Sequence, residues 1–315
     1  MAQPNETRRA YLLLLVMPLL FSSNLVIARG MGEAVPAFTL ALLRWGVAAL
    51  VLLPFTFASL KMEAPVLRAH LGRILLLAFL GMWICGALVY LALGVTTATN
   101  ATLIYTTSPV IVLLIETLVF GRKLSGPRLA GIVLAMIGVA VIVLKGDLGA
   151  ILRLDLNIGD LGMASAAFAW ALYSLVLKEE GLSRVPTLTL FATIAMAGAF
   201  LLLPFSLAEL ALVGGFPTTP KAWTGILALA IFSAVGAFSL YQYGVKVVGP
   251  AVTSCFLYLL PVYGVGMAVV FLGESLQPHH LAGMTLVLSG LVAATAPAHL
   301  AASVLARLGW RGPVP

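Results

Sequence analysis

Apolar residues run along this chain in stretches close to 20 residues long, separated by short clusters of Gly, Pro and charge. Ten stretches can be marked, at about 10–28, 36–58, 71–94, 98–121, 127–144, 158–177, 186–206, 222–243, 249–272 and 279–297. Crossing about 30 Å of hydrocarbon takes roughly 20 helical residues. Backbone groups in lipid must be satisfied within the segment, so each stretch is predicted as an α-helix. The expected fold is an all-α, polytopic membrane protein of ten transmembrane helices.

The pattern repeats. Val35 to Phe55 reads VPAFTLALLRWGVAALVLLPF, and Val185 to Phe205 reads VPTLTLFATIAMAGAFLLLPF. The opening Val-Pro, the Thr-Leu and the closing Leu-Leu-Pro-Phe recur at an offset of 150 residues, yet Arg44 is answered by Ile194. A second block, 109–144, matches 261–296 at an offset of 152, with Pro109/Pro261, Gly121/Gly273, the Leu-Ala-Gly of 129–131 and 281–283, and Gly138/Gly290. The chain therefore divides into a first repeat at 1–148, a second at 149–298 and a tail at 299–315. Each repeat holds five helices. Five is odd, so the second repeat enters the membrane from the opposite side, and the halves are expected as inverted-topology repeats around a central cavity. Two such units can exchange conformations and open a site between them to alternate sides.

Composition supports the membrane reading: 62% of residues are hydrophobic and 9% charged, against about 25% charged in a soluble domain. The net charge of +7 forms no patch. Thirteen of the Lys and Arg, including Arg8, Arg9, Arg122 and Arg128, fall on the side of the N-terminus, against Arg29, Lys145, Arg153 and Lys221 on the other. The positive-inside rule then places both termini in the cytoplasm, and the basic balance reports topology rather than a nucleic-acid partner. The first stretch directly follows Arg8 and Arg9 without a small-residue cleavage site, so it is expected as a retained helix. Cys85 and Cys255 lie in different halves and make neither a disulfide framework nor a metal site. The chain has no HExxH, no G-x-S-x-G with a membrane histidine and no P-loop, and neither a ring of like charges nor repeated carbonyl loops. Enzyme and channel are therefore set aside, and no cofactor or metal is expected. The expected partners are a small-molecule substrate and the lipid bilayer. A monomer is expected, with a homodimer as the other possible use of the same-face pairs Gly131/Gly138 and Gly283/Gly290; packing of helix 5 on helix 10 is their first reading.

FSSNLVIARGM in helix 1, ALLRWGVAALVLLP in helix 2, the mid-helix Pro109 and Pro261, FLGESL at 271–276 and LAG opening helices 5 and 10 together resemble the drug/metabolite transporter superfamily. The similarity is to its ten-helix members with two EamA-like repeats, over residues 10 to 297. The resemblance implies a basket of helices 1–4 and 6–9 around the cavity, with helices 5 and 10 as a buttress. It also implies export of small metabolites, and bacterial exporters of amino acids, aromatic ones included, match best in length and pattern. A bacterial inner membrane is implied with it. One departure is Gly121-Arg122 where the second half has Gly273-Glu274. A family role for that glutamate carries over to Glu274 alone.

The candidate site residues follow from position. Thr102, Thr106, Pro109 and Glu116 share a face of helix 4 at helical spacing, and Ser254, Tyr258 and Pro261 share the matching face of helix 9. A mid-helix proline kinks its helix and frees a carbonyl four residues earlier, here those of Tyr105 and Leu257. A structural kink is the plain alternative; the symmetric pair beside hydroxyls points to cavity lining. Trp83 and Tyr90 lie seven apart on helix 3, and Trp170 shares a face of helix 6 with Tyr173; Trp83, Tyr90, Trp170 and Tyr258 lie well inside their spans, too deep for the interfacial belt that accounts for Trp223, Trp310 and Tyr243. Such rings can hold an apolar side chain or sit over an ammonium group. They can also simply pack. Asn24 lies in the mid-span patch Ser22-Ser23-Asn24 and is read as lining the cavity, whereas Gln242 is read as packing.

Arg44 and Glu116 are the two deep charges. Their depths differ by roughly 15 Å, too far for a direct pair. The first reading of Arg44 is a strap at the outer end of helix 2 with its head snorkelling to water; a substrate carboxylate is the functional alternative. A proton-coupled multidrug exporter of lipophilic cations is the rival function, with Glu116 as the only deep acid. A cavity of aromatics, hydroxyls and kinked backbone suits a neutral or zwitterionic metabolite better, moved by facilitated transport.

Overall fold

The structure is a computed structural model that describes residues 4–31, 35–122, 125–273 and 275–295. Arg29's side chain, Lys123, Glu274, His299, Arg307, Trp310 and Arg311 lie outside what is described. Among the described residues there is no strand. The helical rods are α1 (Pro4–Gly30), α2 (Ala37–Ala69), α3 (Leu71–Leu93), α4 (Ala98–Leu118), α5 (Gly126–Val143), α6 (Ile158–Val176), α7 (Thr187–Leu212), α8 (Pro220–Val248), α9 (Pro250–Phe271) and α10 (Pro278–Thr295). A 3₁₀ segment, Leu148–Arg153, and a single turn, Glu180–Ser183, lie between them. Seven rods, α2, α3, α4, α5, α7, α8 and α9, are long and apolar enough to cross a membrane. Of the other three, α6 carries Asp160 and α10 carries His279 and His280 in the first turn.

Local chemistry sets the helix starts. The Thr97 hydroxyl accepts from the Asn100 amide at 3.1 Å to cap α4, and Thr219 accepts from Ala222 at 3.2 Å to cap α8. α6 opens on a reciprocal cap in which Asn157 Oδ1 accepts from the Gly159 amide and Asp160 Oδ2 from the Asn157 amide. The helix before Gly249 ends there because that residue takes φ +89°, a region only glycine enters cheaply.

Two expected boundaries move. The closing Leu-Leu-Pro-Phe motifs were expected at the ends of helices 2 and 7, but Pro54 and Pro204 lie inside α2 and α7, which run on to Ala69 and Leu212. At 1.5 Å per residue the 33 residues of α2 span about 50 Å. Its last turns, carrying Lys61, Glu63 and Arg68, continue past an apolar layer of about 30 Å.

The two halves share irregularities as well as rods. α3 and α8 each widen into a π-helical segment, Phe79–Leu88 and Leu229–Gly236, whose first residues are 150 apart. α4 breaks at Thr106–Thr107, just before Pro109, and α9 passes through a 3₁₀ turn, Phe256–Leu259, just before Pro261. Both prolines thus open a second half-helix, where a missing amide proton costs least.

α5 and α10 pack backbone to backbone. A Cβ placed on Gly131 would lie 2.3 Å from the Ala294 amide nitrogen, and one on Gly138 2.6 Å from that of Val287. Only glycine permits that approach. α2 crosses α7 with polar clasps at both ends: Thr39 meets Ser206 at 3.1 Å, and Thr189 donates to Ser59 at 2.9 Å. Glu209 of α7 accepts from the Phe38 and Thr39 amides at 3.2 and 2.7 Å, so its carboxylate serves the N-terminus of α2.

Candidate functional site

Between the halves, where a central cavity was expected, aromatic side chains fill the space. Trp170 of α6 is at the middle. Its ring lies 4.7 Å from Tyr241, 5.3 Å from Phe238, 5.5 Å from Tyr173, 5.8 Å from Phe21 and 6.3 Å from Tyr105. Trp45 of α2 joins through Phe238 at 4.8 Å. Five rods, α1, α2, α4, α6 and α8, contribute, drawn from both halves. The phenol tips are tied: Tyr241 and Ser174 share a 2.6 Å hydrogen bond, and Gln242 donates to the Tyr173 hydroxyl at 2.8 Å. The indole nitrogen of Trp45 is buried without a hydrogen-bond partner. Of the expected aromatics, the structure brings together Trp170, Tyr173 and Tyr105. Trp45 and Phe238 were not singled out in the sequence, since each sits in an apolar run with no local mark.

Arg44 departs from expectation. It does not snorkel: it is 4% exposed, and Nη1 donates to the Tyr90 hydroxyl at 2.8 Å. Tyr90 in turn stands 3.5 Å from Asn24 Oδ1. The guanidinium carbon lies 4.3 Å from the centre of the adjacent Trp45 ring, an attractive placement for a cation on an indole face. This inward turn follows from the partners available. A half-buried phenol and an aromatic face lie within reach, so the long side chain need not extend to water. Asn24, Arg44 and Tyr90, from three rods, thus form one polar cluster that touches the aromatic assembly at Trp45.

Trp83 parts company with Tyr90. It packs against Phe38, Phe79 and Phe205 at 5.4–5.6 Å, and Phe79 and Phe205 are themselves exposed on the outer surface. Seven residues return a regular α-helix nearly to the same face. The π segment, which contains Trp83 and ends two residues before Tyr90, has more residues per turn, and it rotates Tyr90 away from the Trp83 face. The expected hydroxyl faces are also less open than their spacing suggested. Thr102, Thr106 and Ser254 each donate to a carbonyl of their own helix, those of Ala98, Leu103 and Ala251. Tyr258 is fully buried, and its hydroxyl has no partner. Near the α9 break, Ser22 of α1 donates to the Leu260 carbonyl at 3.0 Å.

Glu116 is buried and pairs with Arg122 at 3.3 Å. Glu116 also lines a cavity of about 680 Å³, together with Ile115, Phe120, Arg122, Phe168, Leu172 and Lys178 among others. This space lies between α4 and α6 at the end of the molecule that carries Arg122 and Lys178, not at the centre. At that end Lys178 Nζ donates to the Lys246 carbonyl, Lys246 Nζ to that of Val185, and Arg73 pairs with Glu179. Among the described residues, no group of three or more His, Cys, Asp or Glu is arranged to hold a metal ion.

Comparison with known proteins fits this architecture. A family model described as "EamA-like transporter family" matches residues 8–144 and again 157–296, once in each half. An "Uncharacterized transporter" of Archaeoglobus fulgidus is 31% identical over 297 residues, covering 92% of this chain and 99% of its own. A "Probable terminal-alkyne amino-acid exporter" of Streptantibioticus cattleyicolor is 28% identical over 271 residues, 82% of this chain and 88% of its own. A solved crystal structure superposes with a TM-score of 0.75 over 91% of this chain and 97% of its own, at 22% identity, a likeness of fold. With both halves matched and the paired helix irregularities in place, this chain is a multi-pass membrane protein that belongs to the EamA-like transporter family.

Proposed function

We propose that this protein exports small metabolites, foremost amino acids (aromatic or other neutral ones), across a bacterial inner membrane by alternating access. In this reading all ten rods span the bilayer, the two five-helix repeats are inverted, and both termini are cytoplasmic. The observation that carries it is the aromatic assembly around Trp170, built from both halves and bordered by Asn24, Arg44 and Tyr90. Rings and hydroxyls side by side suit a molecule with an apolar part and a polar end. A transporter site at the interface of two repeats is what lets one rocking motion expose it first to one side and then to the other. The amino-acid exporter named above supports the substrate class. Transport is facilitated in this reading, since Glu116, the one deep acid, is held by Arg122.

The test is counterflow in proteoliposomes. Purified protein, loaded with unlabelled amino acids one at a time, should take up the same labelled amino acid transiently above equilibrium. A panel of the twenty standard amino acids with no counterflow would reject the substrate class. The rival, export of lipophilic cations, gains one observation: Glu116 faces a cavity with Phe120 and Phe168 in its wall. Counterflow of a quaternary lipophilic cation, lost in Glu116→Gln, would favour it.

A further inference from the structure

We infer that Asn24, Arg44 and Tyr90 form a receptor for the carboxylate of the transported molecule, with the adjoining aromatic rings taking its apolar part. The inference rests on the exporter reading and narrows its substrate class to carboxylate-bearing compounds. Three observations lead to it.

The first is an unmet charge. A guanidinium is permanently ionised and offers five donors in a planar fork. Arg44 is 4% exposed, and among the described residues no acidic side chain pairs with it. One donor is met by a neutral phenol, and Nε is buried without a partner. A buried cation in a membrane protein is costly unless something compensates it. A carboxylate compensates both the charge and the fork.

The second is that the scaffold works without it. At the offset of 150 that relates the halves, Asn24, Arg44 and Tyr90 correspond to Ser174, Ile194 and Leu240. Ile194 is fully buried on the equivalent stretch of α7. The helix pair therefore packs with an apolar residue in that place. The charge is an addition to the first repeat.

The third is location. Asn24 and Tyr90 are half-buried, so a ligand reaches the cluster from their side. Behind them Trp45 links Arg44 to Phe238 and on to Trp170. An anionic end at Arg44 places the apolar part of the ligand against rings.

The test measures binding by titration calorimetry to the detergent-purified full chain, with counterflow in parallel. The probes are L-phenylalanine, L-phenylalaninamide, which lacks the carboxylate, and phenylacetate, which lacks the ammonium group. Wild type should bind both carboxylates and bind the amide at least about tenfold more weakly. Arg44→Gln should weaken both carboxylates by about 10- to 100-fold, the scale of a lost charge-assisted contact, and leave the amide unchanged. A folded Arg44→Gln protein that discriminates as wild type does overturns the inference and leaves the exporter reading standing. Absence of amino-acid counterflow, with phenylacetate binding that Arg44→Gln abolishes, supports the receptor and overturns the exporter reading. Wild type that binds neither carboxylate overturns the inference, and counterflow then decides the exporter reading on its own. Should Arg44→Gln fail to fold, Tyr90→Phe keeps the charge and removes its anchor. It should raise the dissociation constants of both carboxylates several-fold and spare the amide, and no change would overturn the inference. Glu33→Gln removes the acid nearest Arg44 in sequence and should leave discrimination intact; loss of it would assign Arg44 an internal partner and overturn the inference.

Discussion

At the scale of single residues, polar groups in this protein divide by whether they have a partner. Glu209 has three: the amides of Phe38 and Thr39 and the Thr39 hydroxyl at 2.9 Å. Glu209→Leu strips the start of α2 of these acceptors and of a charge that favours a helix N-terminus. It should lower stability by about 1–3 kcal/mol, seen as a fall in the thermal midpoint of the detergent-solubilised protein; an unchanged midpoint would remove the cap from the account. Tyr258 is the opposite case. Its hydroxyl is buried and unbonded, so Tyr258→Phe removes a group that folding has stranded. The thermal midpoint should hold or rise, while a loss of transport in that stable variant would mark the hydroxyl as a substrate contact. The sequence pointed to Tyr258, Arg44 and Asn24 because a polar side chain deep in an apolar run is visible without a structure. It did not point to Glu209, Trp45 or Phe238. Glu209 sits where a charge at a membrane boundary is ordinary, and the two rings sit among apolar neighbours. Their importance lies in what faces them from other rods.

At the scale of helices, the departures from regular geometry come in pairs. Thr106 and Tyr258 each precede a proline-opened half-helix, and both are buried here. If the breaks flex during transport, cysteine at either position should react with a small water-soluble thiol reagent during turnover, and substrate should slow the reaction. No labelling from either side of the membrane under turnover would exclude these breaks from the pathway. The α5–α10 contact has no such freedom. A side chain on Gly131 meets backbone rather than a flexible tip, so Gly131→Leu should separate the two helices and sharply lower folded yield. The same change at Gly126, at the exposed start of α5 where an added Cβ meets nothing within 4 Å, should not, and equal yields from the two would refute close packing. The glycine spacing was legible in the sequence because seven residues return an α-helix to the same face. The same arithmetic misled for Trp83 and Tyr90. Nothing in the composition of Phe79–Leu88 announces a π segment, which arises when a helix accommodates its neighbours.

At the scale of the whole molecule, coupling to an energy source turns on Glu116. It is the deep acid available for proton exchange, and it is paired with Arg122. In this reading the ion pair is a structural tie between Glu116 and Arg122 rather than a site of proton exchange. Glu116→Gln should therefore retain downhill transport in proteoliposomes at equal pH on both sides. Accumulation of a zwitterionic substrate under an imposed pH gradient, abolished by Glu116→Gln, would establish proton coupling instead. Much of this level could be read in the chain by itself. Hydrophobic stretches of membrane length, repeated at offsets of 150 and 152, determined an all-helical membrane protein of two related units, because in lipid a backbone has few ways to satisfy its own hydrogen bonds. The paired prolines and glycines determined where rods break and where two can touch, because these residues act through their own backbone. What fills the centre, and where Arg44 turns, only the tertiary structure decided. An arginine head can reach about 6 Å from its backbone in many directions, and which direction prevails depends on a phenol from α3 and an indole face beside it. Those neighbours are set by how five rods pack, and packing is a relation between distant segments that no single stretch of sequence contains.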